Sequence, residues 1–82
     1  MPTRPSHDDL KRALADAGAA HHDYEQVTLS GQRDAQWSGF YAAFALGRLG
    51  SFAAPSKLST WLEQATGDEW ADAAASHVLA QL

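Results

Sequence analysis

The stretch WSGFYAAFALGRLG, residues 37–50, decides the fold of this 82-residue chain. Its apolar residues recur at intervals of three and four, which is the spacing of an α-helix. Large aromatic side chains fall on one face and small or aliphatic ones on the other: Trp37, Phe40, Tyr41 and Phe44 against Gly39, Ala42, Ala43 and Leu46. Because a helix that is apolar on most sides is buried on most sides, this helix is predicted to be central or to meet another subunit.

A second helix is predicted upstream of this stretch, from about residue 7 to about residue 26. Ser6 stands at the N-cap position, and Asp8 and Asp9 suit the positive first turn of a helix. Gly18 is a weak point within the helix, since glycine has a low helix propensity. The apolar stripe consists of Leu10, Ala13, Leu14, Ala17, His21 and Tyr24.

Two more helices are predicted downstream, and short loops connect all four. Asp34 is predicted to cap the central helix, Gly50 to end it, and Pro55 to stand at the start of the third helix. Thr66 and Glu69 have the spacing of a capping box, which predicts a sharp start for the fourth helix. The inward stripes are Leu58, Trp61, Leu62 and Ala65 in the third helix, and Trp70, Ala73, Ala74 and His77 in the fourth.

Four helical segments without a strand signal predict an all-α fold, a compact four-helix bundle-like single domain over residues 6–82. Residues 1–5, with two prolines, are predicted to form a disordered N-terminal lead. The core of so short a chain is marginal, and small domains usually add disulfides, a metal or self-association. Cysteine is absent, which leaves tight helix packing, self-association, or a site built from histidine and carboxylates.

The charge balance argues against several classes of partner. Ten acidic and six basic side chains give a formal net charge of -4, with no basic patch. Binding to nucleic acid or to an anionic membrane needs clustered Lys and Arg, so neither is expected.

The longest apolar run is far shorter than the ~20 residues that span a bilayer, and the N-terminus has no signal-peptide pattern. The chain is therefore predicted to be a cytoplasmic protein, and its alanine-rich composition is typical of GC-rich bacteria.

The segment HHDYE, residues 21–25, contains most of the candidate chemistry. Glu25 lies four residues after His21 and three after His22, so either imidazole can meet its carboxylate on the helix surface. If the first and fourth helices are neighbours, His21, Glu25 and His77 could converge as a metal or acid/base site. The favoured interpretation is plainer: His21 and His77 are half-buried helix residues, because a single reversed His-x-x-Glu lacks the repeated Glu-x-x-His of di-iron bundles.

A second candidate region surrounds the central helix. Asp34 and Trp37 are interpreted first as a helix cap and a core tryptophan, and second as an acid beside an aromatic-lined groove. Arg48 could stack on an aromatic ring, pair with an acid, or reach solvent at the end of the helix. The residues predicted to line a groove or an interface are Asp34, Trp37, Gly39, Tyr41, Ala43 and Arg48.

Residues 10–50 also resemble a group of small bacterial helical proteins to which no activity is attached. The group carries a His-x-x-Tyr-Glu segment, an acid three residues before a tryptophan, and an aromatic-Tyr-Ala run. The corresponding residues here are His21, Tyr24, Glu25, Asp34, Trp37, Phe40, Tyr41 and Ala42. Phe40 departs from the pattern, which has a second tryptophan at this place. The resemblance implies a compact helical fold, and it implies that His21, His22, Glu25 and Asp34 act together.

No catalytic residue and no cofactor is predicted, because the chain has neither a nucleophile elbow nor a glycine-rich phosphate loop. The sequence favours a non-enzymatic binding or accessory module that contacts a second copy of itself, as a homodimer, or another protein. The aromatic set also permits a small-molecule ligand. The alternative is a His/Glu metal-binding or acid/base site within the bundle, made by His21, His22, Glu25 and His77.

Overall fold

The first helix, α1, spans His7–Val27 in a computed structural model that describes residues 4–82. The side chain of Ser6 accepts a hydrogen bond from the backbone N–H of Asp9 at 3.1 Å, which confirms the predicted N-cap. The buried residues of α1 are five of the six residues of the predicted stripe, Leu10, Ala13, Leu14, Ala17 and His21, and the sixth, Tyr24, is half-buried. Gly18 admits the tyrosine of a neighbouring helix, since a Cβ at this position would lie 3.1 Å from the hydroxyl of Tyr41.

The second helix, α2, spans Trp37–Leu49 and begins later than the sequence predicts. Its N-cap is Gln36, without a side-chain hydrogen bond, so the prediction that Asp34 caps α2 is wrong. The Oδ1 atom of Asp34 accepts from the backbone N–H of Gln36 at 2.9 Å, which forms an Asx turn just before the helix. Gly50 ends α2 as predicted, with a φ of 91° that disfavours a residue bearing a Cβ.

The third and fourth helices, α3 and α4, span Pro55–Gln64 and Trp70–Gln81. Pro55 is the first residue of α3, as predicted. The predicted capping box of Thr66 and Glu69 is wrong, because α4 begins directly after Glu69, which makes no side-chain cap. Gly67, with a φ of 142°, interrupts the helical path there, and the indole N–H of Trp70 donates to the carbonyl of Ala65 at 3.2 Å across the loop.

The helices form a ring in which α1 packs against α2 and α4, and α3 packs against the same two helices. The fold prediction is confirmed: residues 4–82 contain four helices and no strand, and their radius of gyration of 12.2 Å matches the ~12 Å expected for a compact domain of this length. Of the two alternatives predicted for α2, the central position is wrong, because its outer residues Gly39, Ala43 and Gly47 are exposed. The other alternative, that a face of α2 meets another subunit, stays a prediction. No helix in the described part of the chain is long and apolar enough to cross a membrane.

The core consists of small residues with a few large ones among them. Alanines supply many of the buried positions, so the helices approach each other closely. The largest fully buried side chains are Leu10, Leu14, Leu58, Leu62 and Val78. Partly buried rings extend this core from α2 to α4: Trp70 packs edge-on against Trp37 and Tyr41, with centroids 5.7 and 5.3 Å apart.

The predicted N-terminal lead is described only in part. Residues 1–3 lie outside the described residues. Arg4 contacts the end of α4, where its Nη2 atom donates to the carbonyl of Leu79 at 2.8 Å.

Candidate functional site

Some of the predicted site residues belong to two separate places in the fold. The first is an imidazole–carboxylate cluster formed by His21, Glu25 and Asp34, where the end of α1 meets the connection to α2. The second is an open depression between α2 and the start of α3, called here the α2–α3 groove. None of the three cluster residues lines the groove.

In the imidazole–carboxylate cluster, one histidine ring lies between two acids. The Nε2 atom of His21 is 3.0 Å from Oδ2 of Asp34, and its Nδ1 atom is 3.6 Å from Oε1 of Glu25. The two acids are themselves joined, because Oε2 of Glu25 accepts the backbone N–H of Asp34 at 2.9 Å. The cluster therefore ties the connection between α1 and α2 to the last turns of α1.

The cluster is enclosed by aromatic rings from both helices. Only 7% of His21 is exposed. The ring of Phe40 meets the imidazole edge-on at 5.0 Å, and the rings of Tyr41 and Tyr24 lie 5.4 and 6.3 Å away. Since both ring nitrogens face protein oxygens and the ring is shielded, the imidazole is placed to hold the structure together rather than to meet a substrate.

The pKa values of Asp34 and of the neighbouring Tyr41 are shifted in opposite directions. The hydrogen bond from His21 lowers the pKa of Asp34, and the hydrogen bond from the backbone of Gln36 lowers it further. Burial raises the pKa of Tyr41, and the nearby negative charge of Glu25 adds to the effect. Asp34 therefore stays ionised, and Tyr41 stays neutral, over a wide range of pH.

Acid is expected to remove the contribution of Asp34 to stability. Because its pKa is lower in the folded than in the unfolded chain, this contribution is present above the ordinary aspartate range and is lost as pH falls through the folded-state value. Asp34→Asn should therefore lower the free energy of unfolding at pH 7, and the difference from wild type should shrink as pH falls below the ordinary aspartate range.

Urea unfolding at several pH values between 7 and 3 measures this difference. Asp23→Asn is the control, because it removes an exposed carboxylate of α1. If the difference between Asp34→Asn and wild type stays constant over the whole range, the bond to His21 is not its source.

The convergence of His21, Glu25 and His77 that the alternative interpretation requires does not occur. His77 is half-buried beside the inward residues of α4, Ala74, Ala75 and Val78, and its Nε2 atom lies 2.9 Å from Oε1 of Gln64. Among residues 4–82, no group of three His, Asp or Glu side chains is arranged to hold a metal ion. In the cluster, each acid faces a different nitrogen of one imidazole, so the three side chains do not point to a common centre.

The remaining predicted residues belong to neither place, although the ring of Tyr41 also borders the imidazole of His21. His22 is exposed on α1. Trp37 and Tyr41 pack edge-to-face at 5.5 Å and belong to the aromatic contact with α4. Arg48 pairs with Asp16 of α1 and lies over the ring of Phe44 at 4.9 Å, so it both stacks and pairs with an acid.

The α2–α3 groove has a volume of about 610 Å³ and is open to solvent. Of the residues predicted to form a groove or interface, only Gly39 and Ala43 line it. Gly47 continues their row on α2, and Pro55 and Ser59 form part of the opposite wall on α3. None of the described residues that line the groove is charged.

A hydrogen-bonded chain behind the groove was not foreseen from the sequence. The hydroxyl of Ser59 donates to Ser38 at 2.7 Å, and the hydroxyl of Ser38 donates to Oε2 of Glu63 at 2.9 Å. Ser38 is buried on α2, whereas the other two residues belong to α3. The only signal in the sequence was a polar residue among alanines on an apolar helix, and the identity of its partners depends on how α2 and α3 pack.

No protein-family model matches the chain, and no curated protein or solved structure is significantly similar to it. The likeness of residues 10–50 to a group of bacterial proteins stays an expectation from the sequence. Function is therefore inferred from the geometry of the groove and of the imidazole–carboxylate cluster.

Proposed function

We propose that this protein is a non-enzymatic protein-binding module, that the α2–α3 groove is its contact surface, and that the groove binds a second copy of the chain. The proposal includes the cytoplasmic location that the composition predicts. The observation that carries it is the outer face of α2, where small residues follow one another at four-residue spacing and stay exposed: Gly39, Ala43 and Gly47.

The two glycines of this face have no evident role within one copy of the chain. Glycine is a poorer helix former than alanine, by up to roughly 1 kcal/mol. A Cβ added at Gly39 or Gly47 would meet nothing within 4 Å, so the fold of a single copy does not need either glycine. Small residues one turn apart let the backbone of another helix approach closely. The face thus has the shape that a packed helix requires.

The uncharged lining of the groove permits a second copy as the occupant. Two chains that each carry a formal net charge of -4 repel each other, so they meet most easily across an uncharged surface. The only charged residue in α2 is Arg48, near its C-terminal end, where it is already paired with Asp16. A two-fold axis would place the small residues of one α2 against those of the other, which satisfies the requirement of a self-complementary interface.

Ala43→Arg is expected to abolish this self-association. Ala43 is exposed, so arginine can be accommodated in a single copy while placing a long charged side chain in the middle of the contact. Wild type should have about twice the 8.8 kDa mass of one chain at high concentration, and Ala43→Arg should need at least about tenfold more protein to dimerise. Sedimentation velocity over a series of concentrations measures both.

Ala19→Arg is the matched control, because it adds the same side chain at an exposed position of α1. It should dimerise like wild type. If wild type is monomeric at ~1 mM, where even a weak dimer is populated, the second copy is rejected as the occupant. Equal weakening by both arginine variants would show that net charge rather than the groove controls association.

A further inference from the structure

We propose that the imidazole–carboxylate cluster is a protonation-controlled latch that fixes the connection between α1 and α2 together with the first turn of α2. We further propose that the latch regulates binding at the α2–α3 groove, a second part that rests on the proposed function. The latch itself does not depend on what the groove binds.

The latch holds Asp34, a residue of the connection, through three contacts. The Oδ2 atom of Asp34 faces His21 at 3.0 Å, its Oδ1 atom accepts from Gln36 at 2.9 Å, and its backbone N–H donates to Glu25 at 2.9 Å. Two of these contacts reach α1, and the third reaches the residue that immediately precedes α2. A change at the imidazole therefore acts directly on the start of α2.

The first turn of α2 passes this constraint to the groove. The carbonyl of Gln36 accepts the backbone N–H of Gly39 at 3.1 Å and that of Phe40 at 3.4 Å. Phe40 packs its ring against the imidazole of His21, and Gly39 lines the groove. Loosening of Asp34 would free Gln36 and, with it, the end of the groove that Gly39 forms.

Proton number decides how many of the contacts of His21 can be made. A doubly protonated imidazole has an N–H on both nitrogens: one donates to Asp34 at 3.0 Å, and the other faces Glu25 at 3.6 Å as an ion pair. A neutral imidazole has a single N–H, so the lone pair of the other nitrogen faces a carboxylate oxygen, and the two acids lose the cation between them. The latch is therefore closed while His21 is charged and both acids are ionised.

The other titratable groups that face the ring are carboxylates and tyrosines. Glu25 and Tyr24 face it from α1, Asp34 from the connection, and Tyr41 from α2. Carboxylates ordinarily titrate in acid and tyrosines in alkali, whereas histidine is the side chain that ordinarily changes charge between pH 5 and 8. Opening on the alkaline side is thus controlled by His21.

Nuclear magnetic resonance tests the latch at a protein concentration low enough to keep the chain monomeric. The ring signals of His21 and the hydrogen-exchange protection of the Asp34 and Gln36 amides are followed from pH 5.5 to 8.5. Protection should fall roughly tenfold, the effect of one charge-assisted hydrogen bond, with the same midpoint as the ring of His21. Constant protection, or a midpoint that follows His22 instead, would overturn the latch.

Two variants isolate the imidazole. His21→Gln cannot change charge and should make the protection of both amides independent of pH, whereas His22→Gln should retain the wild-type profile. Should His21→Gln fail to fold, Asp34→Asn takes its place, because it removes one carboxylate and can keep an acceptor for Gln36. A wild-type profile in either cluster variant would contradict the proposal.

The dissociation constant of the dimer at pH 6 and pH 8.5 tests the regulation. It should rise at the higher pH by roughly the factor by which protection falls, and it should not change in His21→Gln. If the latch opens but the dissociation constant does not change, the proposed regulation of binding is wrong, while the proposed latch itself is retained. A wild type that never dimerises would overturn the proposed function and the regulation together, while the amide measurements still decide the latch.

Discussion

His21→Ala is expected to lower the free energy of unfolding by about 3 kcal/mol, because it removes a buried ring and breaks a charged hydrogen-bonded cluster. The ring is only 7% exposed and contacts Phe40 and Tyr41. Its loss also leaves Asp34 and Glu25 close together without the group that lies between them. Breaking a shielded pair by removing one partner is strongly destabilising, since the remaining charge stays uncompensated.

His22→Ala is the matched control, since the neighbouring histidine is exposed on the same helix. It should change the free energy of unfolding by less than about 0.5 kcal/mol. Urea unfolding followed by circular dichroism at low micromolar concentration measures both variants and limits any contribution from self-association. Similar losses in the two variants would contradict the placement of His21 and would indicate a general effect on α1.

The boundaries of the helices were predictable where a local rule decides them. Ser6 caps α1, Gly50 ends α2 and Pro55 starts α3, and in each case the residue acts through its own backbone or through a neighbour three residues away. The stripe of α1 was predictable for the same reason, because a period of 3.6 residues is a property of the helix alone.

The two wrong caps share a physical cause. Asp34 and Thr66 have side chains suited to capping, and a cap is only one of the hydrogen bonds that such side chains make. The carboxylate of Asp34 instead faces His21, thirteen positions earlier, and forms a turn with Gln36. In the other loop, the path depends on Gly67 and on the contact of Trp70 with Ala65. Contacts across a loop are not encoded in the spacing of a capping motif.

The candidate site, like the helix boundaries, was predictable only where the geometry of a single helix decides it. The inward direction of His21 and its proximity to Glu25 follow from helical geometry. The pairing with Asp34 requires the course of the connection between α1 and α2, and only the resemblance of residues 10–50 had suggested it. The wall that α3 adds to the groove depends on how two helices pack, and no spacing within either helix reveals that packing.

Leu62→Ala is expected to lower the free energy of unfolding by about 3 kcal/mol, within the 2–5 kcal/mol typical of buried leucines. Leu62 is 0% exposed, and α3 buries completely only this residue and Leu58. Many of the surrounding core positions are alanines, whose short side chains cannot extend into the space that a deleted leucine leaves. A chain of 82 residues has a total stability of only about 4–12 kcal/mol, so the variant loses a large fraction of it.

Leu82→Ala makes the same chemical change at a position that is 39% exposed, and it should alter the free energy of unfolding by less than about 0.5 kcal/mol. In both variants the free energy of unfolding should fall with urea concentration as steeply as in wild type, since neither substitution greatly changes the surface area that unfolding exposes. A loss below about 1 kcal/mol in Leu62→Ala, or a shallower dependence on urea, would mean that α3 does not unfold together with the other helices. The wall that α3 gives the groove would then be weakly attached to α2. A partner would therefore have to fix α3 in place as it binds, and this ordering would lower the affinity relative to a preformed groove.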